Sequence, residues 1–371
     1  MLKVCGVTYD HSTNYGSFLQ AFALGRAIEQ SRAGGGSYKY ALAAVTVLPG
    51  RPEEAKKTLR HKVSLALSRA LRSAVYRFSF SGFDRKYLDY MPIRNYQDLP
   101  KLNETADAFV CGSDVIWNTD ANHGLGAYYL DFARKYKFAY GASFGRSVNI
   151  PISEKNAAHM KELDEISCRE DTGCDKVEQI TGRRPVKVAD PVFLLKGQEW
   201  EQIAAEGAGK LPKHYIFVYN TYRSPLYEAI IRKLQQQTSL PVIRTTWKYE
   251  NAVRQGIFRM YSPQRWLYCL SHADYVVTNS FHGTAFSVLF HRKFFTAAPG
   301  GPLRGANIRI FDLLGCLGLT ERIISSDEDP VGTQEVDYSK ADVSLEAFRR
   351  ESLDYLERNL EAARQRKKSG S

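Results

Sequence analysis

Short apolar runs rich in Val, Ile, Phe and Tyr alternate with longer stretches in which apolar residues recur every three or four positions. The short runs predict strands at Leu2–Thr8, Tyr40–Leu48, Ala108–Cys111, Phe138–Ser143, Glu165–Arg169 and Val186–Ala189. A second series predicts strands at Tyr215–Tyr219, Pro241–Thr245, Tyr275–Thr278 and Phe294–Thr296. The longer stretches predict helices at Ser17–Gln30, ended by Gly34, Gly35 and Gly36, and at Ser153–Lys161, opened by a Ser N-cap. Those of the second series fall at Ser224–Gln237, Pro263–Ser271, Thr284–Phe290 and Ile308–Leu317. A final polar helix, Ser344–Arg364, carries Leu345, Phe348, Leu353, Leu356 and Leu360 and is expected to pack across or back onto the first domain.

Such alternation builds parallel sheets from βαβ units, so the expected fold class is α/β, with two doubly wound Rossmann-like domains facing a cleft. The chain has 371 residues, more than twice a typical domain of ~150, which agrees with two cores. The first domain is placed at residues 1–195, the second at 196–343, and a C-terminal helix with a basic tail at 344–371. The tail, ARQRKKSGS, is expected to fray. No internal repeat of 20 to 50 residues is visible in the sequence.

Composition narrows the class. Hydrophobic residues at 44% and charged residues at 25% exclude a disordered chain. No apolar run approaches the ~20 residues of a membrane span. The opening MLKVCGVTYDHS lacks the apolar core of a secretory signal, so the expected location is the cytoplasm. Six cysteines stand singly, without a CxxC pair, and are expected to be small buried hydrophobes rather than metal ligands or disulfides.

The net charge of +11 suits an anionic ligand, a nucleic acid or an acidic membrane surface. Nucleic acid fits poorly, because no binding fold or interleaved basic and aromatic face is present. The charge is instead uneven: Tyr275–Phe311, 37 residues, contains no Asp or Glu. A buried strand and helix could exclude carboxylates by themselves; an anion site would do so too. Lys56–Phe78 forms a second basic concentration, with Leu59, Val63, Leu67, Leu71 and Ala74 as one apolar stripe. It reads either as an ordinary helix packed on its own protein or as one that rests on anionic headgroups, a peripheral membrane contact.

In open α/β sheets, ligands bind beyond the carboxyl ends of strands, so chemistry is expected in four loops. In the first, Asn14, Tyr15 and Gly16 lead into a helix, and Gly16 would let a ligand approach the backbone. In CGSDVIWN, Ser113, Asp114 and Trp117 follow a strand; Asp114 is a candidate base and Trp117 a candidate ring face for a sugar, against an Asp cap and a buried Trp. In SCREDTG, Arg169 is either an anion clamp or the partner of Glu170 and Asp171. In VVTNSFHGTAFSVLF, His282 stands at a helix start after Ser280 and Phe281, where it could bind phosphate or donate a proton, and Gly283 permits close approach.

At these loops the chain resembles the polysaccharide pyruvyl transferase family. The matching pieces are NYGSFLQAFAL, CGSDVIWN, YGASFG, SCRED, VADPVFLL, YVVTNSFHGTAFSVLF and NIRIFDLLGCLGL, in order and over nearly the whole chain. The resemblance implies a GT-B-like fold and transfer of the pyruvyl group of phosphoenolpyruvate to a sugar as a cyclic ketal, with no metal, nucleotide or other cofactor. The first domain would serve the acceptor, through Asn14, Tyr15, Gly16, Ser113, Trp117 and Ser143, with Asp114 as base. The donor would lie against Arg169, Ser280, Phe281, His282 and Gly283. Where related members carry Arg-Leu-His-Gly, this chain has Ser280, Phe281, His282 and Gly283, so Arg304 or Arg309 is expected to replace that guanidinium. The acceptor implied is a sugar of a cell-surface polysaccharide or its lipid-linked precursor; no oligomeric state is implied. The alternative is a GT-B-type glycosyltransferase using a nucleotide sugar, which would need a carboxylate in the second domain. A member that binds glycan without catalysis is a further alternative.

Overall fold

The structure, a computed structural model, describes residues 1–9, 13–45, 73–93, 95–119, 125–222, 224–246, 260–299 and 307–370. Strands β1 (Leu2–Val7), β2 (Tyr38–Leu42), β3 (Ala108–Cys111), β4 (Tyr136–Ala142), β5 (Glu165–Cys168) and β6 (Val186–Lys187) form a six-stranded sheet in the order β2-β1-β3-β4-β5-β6. Strands β7 (Ile216–Tyr219), β8 (Val242–Thr245), β9 (Tyr275–Thr278), β10 (Lys293–Ala297) and β11 (Ile323–Ile324) form a five-stranded sheet in the order β11-β10-β9-β7-β8. Neighbouring strands run parallel in both sheets. Strands β3, β4, β7 and β9 are buried along their whole length, which explains why they read as continuous apolar runs rather than as alternation.

The α/β class with two doubly wound, parallel-sheet domains is therefore the fold. Counted within its own half, the second sheet has the strand order 2-1-3-4-5 that also begins the first. In each half the winding reverses between the first and third strands, and the loops that leave that point diverge to open a crevice.

The main helices are α1 (Tyr15–Gln30), α2 (Ser81–Tyr87), α3 (Glu154–Lys161), α4 (Asp171–Thr181), α5 (Gly197–Ala205), α6 (Pro225–Thr238), α7 (Pro263–Ser271), α8 (Phe281–Leu289), α9 (Ile308–Leu317) and α10 (Ser339–Ser369). Two depart from their expected bounds in ways that matter. α1 begins at Tyr15, two residues before its expected start, because the Asn14 side chain accepts the Gly16 N–H, and it ends at Gln30 as expected, where the Ser31 N–H closes on Ala27 and Ile28 ahead of the glycine cluster. α8 begins three residues before its expected start, because the Ser280 hydroxyl accepts the Gly283 N–H at 3.4 Å and caps it. His282 thus sits inside the first helical turn.

One apolar core runs from the first sheet through α1 and α7 to the second sheet. At its centre Tyr15 stacks on Trp266, centroids 5.3 Å apart, and its hydroxyl donates to the Tyr261 carbonyl at 3.0 Å. α10 crosses back onto the first sheet: Tyr355 donates to the Ala139 carbonyl at 2.9 Å, and Tyr136 to Asn359 Oδ1 at 3.0 Å. The basic tail is not frayed. The helix continues through Ser369, with Arg366 2.9 Å from Asp164 and Lys367 2.8 Å from Asp107.

Cys5, Cys111, Cys168, Cys174 and Cys269 are buried, but Cys316 is exposed near Lys187, against expectation. Most of the basic stretch Lys56–Phe78 lies outside the described residues; within the described part Ala74, the last residue of its stripe, is exposed. Among the described residues no helix is long and apolar enough to cross a membrane.

Candidate active site

The loops after β1, β3, β5, β6 and β9 meet where the carboxyl ends of the two sheets face each other. Asp114 leaves β3 with φ at +67°, a left-handed conformation that turns its carboxylate inward. There the carboxylate accepts from Ser17 Oγ at 2.9 Å, at the start of α1, and lies 3.5 Å from Arg169 Nη2 and 3.6 Å from Arg309 Nη1. Arg169, at the end of β5, also pairs through Nη1 with Asp190 Oδ2. His282 comes from the opposite sheet and places Nε2 3.5 Å from the same Asp190 oxygen. Arg169 and His282 are therefore brought together, through one carboxylate that sequence reasoning did not single out.

Phe281 fills the space between the cations. Its ring centroid is 5.1 Å from the Arg169 guanidinium carbon and 5.4 Å from that of Arg309. Arg309, at the start of α9, thus lies across the Phe281 ring from Arg169; Arg304 lies outside the described residues. Burial is nearly complete, with side-chain exposures of 2% for Arg169, 6% for His282 and 11% for Arg309.

Electrostatics follow from that burial. Desolvation pushes the Asp190 carboxyl up, but Arg169 and His282 outweigh it and hold the group well below the ordinary carboxylate range. Asp114 is held low in the same way by Arg169, His282 and Arg309. Glu170 goes the other way: burial raises it, although Arg169 and the Ser143 hydroxyl, 2.6 Å from Oε1, oppose the rise. Burial, with Arg169 nearby, lowers Arg309. The carboxylate-free run of the second domain is thus met in space by Asp114 and Asp190 of the first, and the hollow is not uniformly positive. Even so, Arg169 Nε, Arg309 Nε and His282 Nε2 are buried without a hydrogen-bond partner.

Several candidate residues do structural work instead. Trp117 is fully buried, stacked on Tyr129 with its indole N–H on the Tyr128 carbonyl at 3.0 Å, and offers no ring face to a sugar. Ser113 is spent on the Gly141 carbonyl at 2.6 Å, and Ser143 on Glu170. Tyr15 belongs to the core joining the halves, and Asn14 Oδ1 caps α1 by accepting the Gly16 N–H at 3.0 Å. Gly283 of α8 is required by the packing of that helix on β9, since a Cβ there would stand 2.3 Å from Thr278 Oγ1. Gly16 admits the His282 imidazole rather than a ligand: a Cβ would lie 2.0 Å from Nδ1. Arg169 pairs with Asp190 and Asp114, not with Glu170 or Asp171.

Ser17 and Asp190 were the residues sequence reasoning missed. Asp190 was findable, because it follows the predicted strand Val186–Ala189 just as Asp114 follows Ala108–Cys111. Among the described residues no group of three or more His, Cys, Asp or Glu side chains is placed to hold a metal ion.

No curated protein matches the sequence. Among solved structures, UDP-GlcNAc 2-epimerase from Methanocaldococcus jannaschii is similar at 9% identity and a TM-score of 0.48, over 93% of this chain and 92% of that one. S. aureus MnaA with UDP aligns at 11% identity and a TM-score of 0.46, over 95% and 91%. E. coli heptosyltransferase WaaC with ADP aligns at 12% identity and a TM-score of 0.38, over 95% and 100%. The family profile described as polysaccharide pyruvyl transferase matches residues 61–299, more than half of the chain and a span that holds Asp114, Arg169, Asp190 and His282. The chain belongs to the polysaccharide pyruvyl transferase family and is a transferase.

Proposed function

We propose that the chain moves the pyruvyl group of phosphoenolpyruvate onto two hydroxyls of a sugar in a cell-surface polysaccharide or its lipid-linked precursor, forming a cyclic ketal and releasing phosphate. The observation that carries this reading is the convergence of Arg169, Arg309 and His282, with the Nε of each guanidinium buried and lacking a hydrogen-bond partner. Buried donors of that kind call for an anionic acceptor, and a small acid with a carboxylate and a phosphate supplies several. The two guanidinium groups flank Phe281 and present two points for a bidentate anion.

In this reading His282 holds the phosphate and delivers a proton to the methylene carbon, so that C2 becomes oxocarbenium-like. A sugar hydroxyl adds to C2. Asp114 is a weak base, but attack on so electrophilic a carbon makes the hydroxyl acidic, and its low basicity is then sufficient. Loss of phosphate regenerates the cationic centre, and a second hydroxyl closes the ketal. Of the two protons lost by the hydroxyls, one replaces the proton delivered to the methylene carbon and the other leaves with the phosphate. A lipid-linked acceptor would bring the basic stretch Lys56–Phe78 to anionic headgroups; flotation with and without anionic lipid tests that contact.

Phosphate release from phosphoenolpyruvate in the presence of a sugar panel, with mass spectrometry of the products, tests the reading. His282→Ala is expected to slow turnover by about 10²- to 10⁴-fold. Unchanged turnover in that variant, or stabilisation by nucleotide sugars but not by phosphoenolpyruvate in a thermal shift, overturns it.

A further inference from the structure

Asp190 is tied down at the residue before it and at one of its carboxylate oxygens. The Ala189 N–H donates to Ser352 Oγ of α10 at 2.8 Å, and the Ala189 carbonyl accepts from the Tyr140 hydroxyl at 3.1 Å. Pro191 follows, and Asp190 Oδ1 takes the Val192 N–H at 3.1 Å. With the backbone and one oxygen fixed, the other oxygen is left for Arg169 on its own domain and for His282 across the cleft. A carboxylate this buried, with its carboxyl held ionised, can only accept. At 3.5 Å the two groups are in ion-pair contact without a formed hydrogen bond, and a proton placed between them belongs to Nε2. The other ring nitrogen, Nδ1, faces the first turn of α1 at Gly16, on the side where Ser17 holds Asp114.

We propose that Asp190 is the positioning residue of the site: it fixes the Nε2–H tautomer of His282 across the interdomain cleft, so that Nδ1, at the first turn of α1, is the ring's basic nitrogen. The proposal deepens the pyruvyl-transfer reading and rests on it for what Nδ1 does, whereas the tautomer itself does not. A ring steered only by packing would be free to flip, and a flipped ring would direct its proton at the wrong partner. An acceptor-only group at Nε2 prevents this, which is how a carboxylate that never touches substrate can govern the rate.

Two measurements on the full chain decide it. Nitrogen-15 histidine spectra of the unsubstituted protein, with the His282 signals assigned by their loss in His282→Gln, are expected to show the Nε2–H tautomer for the neutral ring; an Nδ1–H tautomer overturns the proposal without recourse to any reaction. In turnover with phosphoenolpyruvate, Asp190→Asn is expected to lower kcat by roughly 10²-fold with KM changed by less than about threefold, and Asp190→Glu to recover part of the loss. Should KM rise in step with the fall in kcat, and Asp190→Glu recover nothing, Asp190 serves only to anchor Arg169 and the proposal is wrong. If Asp190→Asn does not fold, the spectra of the unsubstituted protein and of Asp190→Glu still distinguish the two tautomers. Absence of turnover in the unsubstituted protein, with the Nε2–H tautomer present, would remove the pyruvyl-transfer reading and leave the assignment of Asp190 standing.

Discussion

The two halves of the molecule share a strand order and differ in their chemistry. Each winds 2-1-3-4-5 and aims its switch point at the other. The first contributes both carboxylates, Asp114 and Asp190, together with Arg169; the second contributes His282 and Arg309 and no Asp or Glu between Tyr275 and Phe311. Neither half is electrostatically complete. The topology explains where the charged side chains gather, and the division of charge means that the cluster is complete only when the halves are apposed. The apolar core shared by the two sheets, in which Tyr15 stacks on Trp266, packs the halves together, while the cross-domain ionic contacts are long, at 3.5 and 3.6 Å.

The largest break in this asymmetry comes from Arg169. Arg169→Met strands Asp190 and Asp114 in a buried place, so we expect a stability loss of about 3–5 kcal/mol in urea denaturation and no measurable turnover. Arg309→Met should behave differently, because burial already disfavours the Arg309 charge and its contact to Asp114 is 3.6 Å. There the donor KM is expected to rise about 10- to 100-fold with stability nearly unchanged. Equal stability losses for the two arginines would show that the halves do not divide the work as described.

Gly16→Ala probes the seam between the halves. The new methyl would meet His282 Nδ1, and either the ring or α1 must shift. A displacement near 1 Å at reacting groups costs on the order of 10²-fold in rate. We therefore expect kcat to fall by about that factor together with a stability loss of about 1–3 kcal/mol from overpacking; full activity would mean that the imidazole does not work against Gly16.

Acidity separates the carboxylates within the first half. Asp190 has a depressed carboxyl, so its contribution to stability is present above the unfolded value near ~3.9 and is lost as pH falls through the lower folded value. Glu170 is raised, so its contribution is present below about 4.3 and is lost as pH rises through the folded value. Denaturation across acidic pH should show Asp190→Asn flattening the acid side and Glu170→Gln flattening the decline above it. Parallel profiles for the two variants would contradict the opposite signs.

Strands were legible because full burial makes them apolar without interruption, as in AFVC of β3 and YVVT of β9. What escaped was short or polar. β11 is a two-residue edge, and α4 buries only Gly173, Cys174 and Val177 of its eleven residues, too few for an apolar stripe. The site was half legible for a related reason. Residues at strand ends, such as Asp114, Arg169 and His282, stand out along the chain, but partnership across the cleft leaves no local trace. The carboxylate-free run looked like a positive hollow because its counter-charges belong to the other sheet. α10 was visible as a helix, while its tie to Ala189 through Ser352, which fixes Asp190, lies 163 residues away in sequence.

Trp117 gives the smallest effect and the sharpest contrast between a sugar platform and a core residue. A platform must expose its ring face, yet this indole is stacked on Tyr129 at 5.9 Å and 7° and donates inward to Tyr128. Trp117→Phe keeps an aromatic ring and removes that donor, leaving the Tyr128 carbonyl without it. The expected cost is about 1 kcal/mol of stability by urea denaturation, with the acceptor KM unchanged. A platform would give the reverse pattern, a raised acceptor KM with little loss of stability, since Phe stacks on a sugar more weakly than Trp while an exposed ring contributes little to folding. The ratio of the two effects, not the size of either, tells whether Trp117 serves the core or the acceptor.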